Sequence, residues 1–305
     1  MNPIEQLSRR QLLVVTGKGG VGKTVVSAVL GRAVAAAGRR TLVVEVDPRE
    51  SLHQMMGTPP SGGAIVAAGP RLWVQNLKPR QVLDQVVREN LKLELLTRRV
   101  LESPVYQQFA TGAPGLKELA ILGHALRLLR GLREPGTPEI DTVVLDAPAT
   151  GHGVALLTAP SLTAEVITQG PFARMAGELA ELIDDSQRCG IVVVTMAEEM
   201  PMEEARELRA SLNRQVKRDP EMLVVNGLYP PSPPMPAPGE RENGLVSLWR
   251  RRRQLNEREL GSLGESWPGP RVELPQLPLD RGPALLATLG RCFAESARSL
   301  ARETP

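Results

Sequence analysis

The sequence predicts an α/β protein, a mostly parallel, doubly wound sheet of the P-loop type with a helical subdomain inserted. Three observations predict it. Short apolar runs without polar alternation recur along the chain, as strands buried on both faces require. Helix-forming stretches separate them, which is the pattern of a sheet covered on both sides. The first run leads through a glycine-rich loop, Gly17-Lys-Gly-Gly-Val-Gly-Lys-Thr24, directly into a helix former.

Residues 11–16 read as the first strand, and residues 25–37 as the helix after the loop, ended by Gly38. The clear strands that follow are 41–46, 141–146, 190–195 and 222–226, with a weaker one at 271–274. The residues between 41–46 and 141–146 are too many for a simple crossover. They read as helices at 80–101, 103–110 and 115–132, with a short strand at 72–77. We therefore expect one P-loop domain over 1–305, with a helical subdomain at approximately 78–135 and further helices at 161–187, broken near Gly170-Pro171. Helices are also expected at 202–217, 240–262 and 283–302. The proline-rich stretch 229–239 can be neither helix nor central strand. No internal repeat is present.

The composition is that of an ordinary globular protein, 42% hydrophobic and 23% charged. A net charge of +3 implies no general affinity for nucleic acid or anionic membrane. Trp249-Arg250-Arg251-Arg252-Arg253 is set among Glu240, Glu242, Glu257, Glu259 and Glu265, so it reads as a solvated helix face. With three Phe, two Tyr and three Trp, the chain lacks stacking platforms for single strands, and nucleic acid is not an expected partner. Cys189 and Cys292 form no C-x-x-C and suit a reducing compartment. No leader or long apolar run is evident, and a cytoplasmic protein is expected.

The loop has the form G-x-x-x-x-G-K-[ST], in which successive backbone N–H groups cradle phosphates. Gly17, Gly19, Gly20, Val21, Gly22 and Val25 are expected to form the cradle and the helix entry. Lys23 is expected on the β- and γ-phosphates, and Thr24 on Mg²⁺. Lys18 sits too far forward to serve mainly its own β-phosphate. It is placed to reach a nucleotide on a facing copy, a solvated surface lysine being the alternative. Asp47, at the end of the second strand, can orient a water or support Mg²⁺, or can be a turn residue before Pro48. Asp146 ends a strand in the Walker-B manner, as support for Mg²⁺. The loop 147–153 has the glycine content of a segment that senses the γ-phosphate, and its His152 is either a base or a structural loop residue. Asn226 ends another strand, where an amide can meet a purine edge.

Together these segments resemble the ArsA-type ATPases, the family of the arsenite-pump ATPase and the targeting ATPase for tail-anchored membrane proteins. The resemblance rests on Gly17–Thr24, on Asp47-Pro48-x-x-Ser51-Leu52 and on Asp146-Ala-Pro-Ala-Thr-Gly-His152. Val194–Met200, Val225-Asn226-Gly227 and Leu274-Pro275-Gln276-Leu277-Pro278 extend it over nearly the whole chain. It implies a deviant-Walker, nucleotide-dependent dimer that binds ATP and Mg²⁺. It implies that Lys18 acts on the partner's nucleotide, that Asp47 positions the hydrolytic water, and that Asn226, Pro275, Leu277 and Pro278 contact adenine. Where the family usually reads D-T-A-P-T-G-H-T, this chain lacks one Thr and ends in Gly153. Where the family reads D-P-A-H-S-L, it has Arg49-Glu50. The dimer-bridging zinc cysteines and the metalloid-binding cysteines are both missing.

The expected activity is therefore a Mg²⁺-ATP-dependent dimeric switch, pairing with itself or with a paralogue. Its expected client is a membrane-protein segment or a transporter subunit. Two alternatives stand beside it. One is a partitioning or positioning ATPase of the ParA/MinD kind, acting on DNA or a membrane surface. The other is a poorly hydrolysing partner of an active paralogue.

Overall fold

Successive residues of β1 (Leu12–Thr16) enter two different cores. Leu12 and Val14 join one hydrophobic cluster, Leu13 and Val15 another, and all four are fully buried. Side chains of a strand alternate between its faces, so this division requires a sheet covered on both sides. The computed structural model shows that sheet. It describes residues 3–303 apart from 48, 92, 113–114, 133–135, 149–152, 232–243 and 265. Pro48, Thr150, Gly151 and His152, most of the proline-rich stretch, and Glu240, Glu242 and Glu265 thus lie outside the described residues.

Seven further strands complete the sheet: β2 (Thr41–Glu45), β3 (Val66–Gly69), β4 (Leu72–Asn76), β5 (Thr142–Asp146), β6 (Cys189–Met196), β7 (Met222–Leu228) and β8 (Arg271–Pro275). Their order is β3-β4-β2-β5-β1-β6-β7-β8, and every pairing is parallel except β3 with β4. The chain winds away from β1 in both directions, so the carboxyl edges of β1, β5 and β6 flank the switch point where such sheets bind ligands.

The helices are α1 (Pro3–Ser8), α2 (Lys23–Ala36), α3 (Ser51–Met56), α4 (Pro79–Asn90), α5 (Glu94–Glu102) and α6 (Pro104–Gly112). They continue with α7 (Leu116–Leu129), α8 (Gly153–Val166), α9 (Gly170–Asp184), α10 (Glu199–Gln215), α11 (Gly244–Ser262) and α12 (Pro283–Glu303). One face of the sheet packs on α7, α8, α9 and α10, the other on α1, α2, α3 and α12.

Every expected strand is present, including the one at 72–77, and several boundaries move for identifiable reasons. The expected helix 80–101 is two helices. α4 ends at Asn90, Leu91 is extended, and the buried Thr97 hydroxyl donates to the Leu91 and Leu93 carbonyls exposed by the break. The expected helix at 161 begins instead at Gly153, because burial of Leu156, Leu157 and Ala159 overrides a glycine start and an internal Pro160. The expected helix at 202–217 starts at Glu199. β3, α1 and α3 were not legible: each is four to six residues long, too short for periodicity to show.

α12 turns its apolar face inward. Leu286, Leu289, Phe293 and Ala297 are buried against α2 and β8. The arginine run on α11 is tied locally: Arg252 pairs with Glu198, Arg253 pairs with Glu257 and also donates to the Tyr229 carbonyl, and Trp249 donates to Pro230. On the helical layer the picture is reversed. Leu95 (86% exposed), Val105 (78%) and Val166 (83%) face outward.

Candidate active site

The phosphate loop leaves β1 at the centre of the sheet edge and enters α2. Two of its glycines are obligatory. Gly17 has φ 147°, and a Cβ there would lie 2.2 Å from the Val194 carbonyl oxygen on β6. Gly22 has φ 92°, and a Cβ would lie 2.2 Å from Asn226 Nδ2. Only glycine tolerates both the left-handed backbone and the close approach. Lys18, Gly19 and Gly20 are exposed at the loop's tip, Val21 is buried beneath it, and Val25 is half-buried in the first turn of α2.

Lys23 is buried, and among the described residues no carboxylate is bonded to it. Its ammonium donates to the Lys18 carbonyl at 2.8 Å, closing the loop on itself. Burial lowers its pKa, opposed by the charge of Asp146. A desolvated ammonium beneath a glycine loop at a helix N-terminus fits a phosphate. Next to it, the Thr24 hydroxyl donates to Asp146 Oδ2 at 2.6 Å, and the Ser27 hydroxyl donates to Asp146 Oδ1 at 3.1 Å. Burial pushes the Asp146 carboxyl up to about 6 against the pull of these two bonds and of Lys23. A buried carboxylate so disfavoured, touching a hydroxyl, fits a divalent cation. Among the described residues no three His, Cys, Asp or Glu side chains gather to hold a metal. A hydroxyl and a carboxylate are the usual protein share of a Mg²⁺–nucleotide site, the other ligands being water and phosphate oxygens.

Asp47 follows β2 and is held from two sides. Its backbone N–H donates to Asn76 Oδ1 (3.3 Å), and its carbonyl accepts from Asn76 Nδ2 (2.6 Å). Its carboxylate accepts from the Arg49 N–H at 2.8 Å, with the Arg49 guanidinium forked over both oxygens at 3.3 and 3.4 Å. Burial works against ionisation, but the bonds and charge of Arg49 and a bond from Ser51 outweigh it, so the Asp47 pKa is lowered. Glu50 adopts φ 48° and accepts from the Ser61 N–H at 2.7 Å. The Arg49-Glu50 pair that departs from the family pattern thus has structural work: one residue clamps Asp47, the other anchors the loop. Behind them, buried Glu45 accepts from the Leu52 N–H at the start of α3, at 3.0 Å to each oxygen. Burial pushes its carboxyl up to about 8, opposed by that bond and reinforced by Asp146, Asp47 and Glu50.

Lys18 points away from this interior. Its ammonium lies 2.5 Å from Glu204 Oε1 on α10, with the lysine side chain 53% exposed. Both residues line a cavity of about 210 Å³ with Thr16, Gly17, Gly153 and Val154. At the far side of the loop, Asn226 Nδ2 donates to the Val21 carbonyl at 3.0 Å, so this amide braces the loop. Pro275 ends β8 opposite Leu228, and the Gln276 N–H donates to the Leu228 carbonyl; Leu277 and Pro278 follow in the segment that leaves the end of β8.

The structure therefore brings Lys23, Thr24 and Asp146 together, sets Asp47 at the same sheet edge, turns the Asn226 amide onto the loop, brings Pro275 beside the end of β7, and leaves the Lys18 side chain outside. Ser27, Asn76, Glu45 and Glu204 were missed. Ser27 stands one turn from Thr24 on α2, so helical spacing alone could have found it. Asn76 carried a weaker signal, a polar amide ending a strand. Nothing local marked Glu204.

The model of the family described as anion-transporting ATPases matches residues 10–180. The ATPase BagA of Mycobacterium tuberculosis is 28% identical over 74% of this chain and 67% of its own length. The ATPase GET3B of Arabidopsis thaliana is 27% identical over 74% of this chain and 66% of its own. The ATPase asna-1 of Caenorhabditis elegans is 25% identical over 93% of both. No helix among the described residues is long and apolar enough to cross a membrane.

Proposed function

The chain belongs to the ArsA ATPase family, and from that premise we propose that it hydrolyses ATP as a two-copy, Mg²⁺-dependent switch in which each Lys18 serves the partner's nucleotide. The observation that carries this reading is the division of labour between the two loop lysines. Lys23 is buried under the loop, whereas Lys18 is exposed and directed outward to Glu204. In this reading Lys23 and the loop amides neutralise charge on the terminal phosphates, which is where such sites derive most of their acceleration. Thr24 and Asp146 hold Mg²⁺, which when bound neutralises phosphate charge. Asp47, ionised at neutral pH, accepts a hydrogen bond from the attacking water once the Arg49 clamp lets go. Asn226 and the segment Pro275, Leu277 and Pro278 form the purine end of the site. Lys18 paired with Glu204, and Asp47 clamped by Arg49, describe a resting form in which both groups are held until two copies close.

Closure would move the helical layer, α4–α9, which we propose as a subdomain of the one P-loop domain. Its outward Leu95, Val105 and Val166 suit an apolar client segment, such as that of a membrane protein. These side chains favour such a client over a transporter subunit, and a cytoplasmic site of action fits that role. The burial of α12's apolar face against the sheet weighs against membrane docking through that helix. The clamp on Asp47 also suits the poorly hydrolysing partner of an active paralogue, a reading that slow turnover by the isolated chain would favour. Lys18→Ala tests the proposal. Affinity for Mg²⁺-ADP should be unchanged and turnover should fall by on the order of 10²–10³-fold; normal turnover would exclude a catalytic Lys18.

A further inference from the structure

A second cavity lies away from the phosphate loop and shares no lining residue with it. It is a slot of about 620 Å³ between α4, α7 and the β3–β4 edge, within the size range of small-molecule sites. Its floor is polar and fully ordered by hydrogen bonds. His124 Nε2 bonds Gln75 Oε1 at 2.8 Å, and Gln75 Nε2 donates to the Gly63 carbonyl at 2.8 Å. Burial, with Arg127 nearby, lowers the His124 pKa to about 4, so the ring contributes hydrogen bonding and no charge at neutral pH. Leu77, Val82 and Leu128, all buried, supply apolar wall.

The charges are one-sided. Lys78, Arg88 and Arg127 line the slot, and no Asp or Glu does among the described residues. Arg127 is neutralised by Glu89. Lys78 and Arg88 are exposed and have no ion pair among the described residues. Low-dielectric walls and unpaired cations concentrate positive potential in a cleft. The slot also touches the switch loop. Gln75 on its floor precedes Asn76, which holds Asp47 by two hydrogen bonds. Gly63 donates to Ser61 Oγ, and Ser61 N–H donates to Glu50.

We infer that this slot binds an organic anion, an oxyanion head on an apolar body, and that its occupancy reaches Asp47 through β4. The binding half is independent of the proposed function; the coupling half rests on the role given there to Asp47. The test uses the full chain saturated with Mg²⁺-ADP and two fluorescent probes of the same ring system. These are 8-anilinonaphthalene-1-sulfonate and the uncharged N-phenyl-1-naphthylamine. Lys78→Ala/Arg88→Ala changes two exposed side chains and should leave the fold intact. It should weaken the sulfonate roughly tenfold, the scale of losing charge-assisted bonds, and leave the neutral probe unchanged. Ala64→Trp, at the exposed rim, should obstruct the slot and weaken both. Sulfonate binding that is equal in wild type and both variants overturns the site. In a parallel assay with ATP, saturating sulfonate should change the turnover of wild type and not of the double variant. An unchanged wild-type rate, with binding confirmed, overturns the coupling to Asp47 and leaves the site standing.

Discussion

Gly153 opens α8 at the position where the family's second switch usually carries Thr, and the packing beneath it supplies a reason. A Cβ on Gly153 would lie 1.8 Å from Thr16 Oγ1, 3.0 Å from Thr16 Cβ and 3.5 Å from Thr16 Cγ2. Thr16 is buried, 2% exposed, at the last position of β1, so an added methyl must displace its side chain toward the cavity both residues line. Overpacking of this kind costs about 1–3 kcal/mol. Ala gains at most about 1 kcal/mol over Gly inside a helix, and less in a first turn. Gly153→Ala should therefore lose about 1–2 kcal/mol of stability. Thr16→Ala removes the hydroxyl and methyl but keeps the 3.0 Å contact, so it should relieve part of the cost; Thr16→Gly should relieve all of it. Urea unfolding of the singles and doubles gives the cycle. The expected coupling is about 1–2 kcal/mol, larger with Thr16→Gly than with Thr16→Ala. Additive singles, or Gly153→Ala within about 0.5 kcal/mol of wild type, would refute the steric explanation.

Other perturbations follow from the same geometry. Arg49→Ala should release Asp47 and raise steady-state turnover, by no more than about fivefold because an exposed pair is worth at most about 1 kcal/mol; a fall would place Arg49 in the reaction itself. Glu204→Gln should leave stability within about 1 kcal/mol and favour closure, seen by light scattering as a larger dimer fraction with a non-hydrolysable ATP analogue. Asp146→Asn should cut turnover on the order of 10²-fold without loss of unfolding free energy, since burial disfavours the native charge. His124 is depressed to about 4 in the fold from an ordinary 6.5, so the unfolded chain binds the extra proton first. Stability should be full above pH 6.5 and fall toward pH 4, by up to about 3 kcal/mol, and His124→Gln should flatten that decline.

The placing of Lys23 and Thr24 at the end of the loop was legible because it is local. Strand, loop and helix are contiguous, and Lys23 and Thr24 are fixed by that geometry alone. Asp146 was legible because a carboxylate at the end of an apolar run has few other uses. What sequence could not show are the contacts made across long separations. The Asn76 clamp on Asp47, the Glu204 partner of Lys18 and the Thr16 wall beneath Gly153 depend on the sheet order and on how α8 and α10 seat against it. α8 itself was read short because Pro160 and Gly153 argue locally against a helix that the core enforces.

Mixing two inactive variants tests the central claim, that Lys18 acts across two copies. Lys18→Ala can bind nucleotide but lends no lysine; Lys23→Ala cannot use its own site but still presents Lys18. Half of randomly mixed dimers pair the two, each with one complete site, so about a quarter of wild-type turnover should return on mixing. Turnover no greater than the sum of the separate variants would contradict it and confine Lys18 to its own chain.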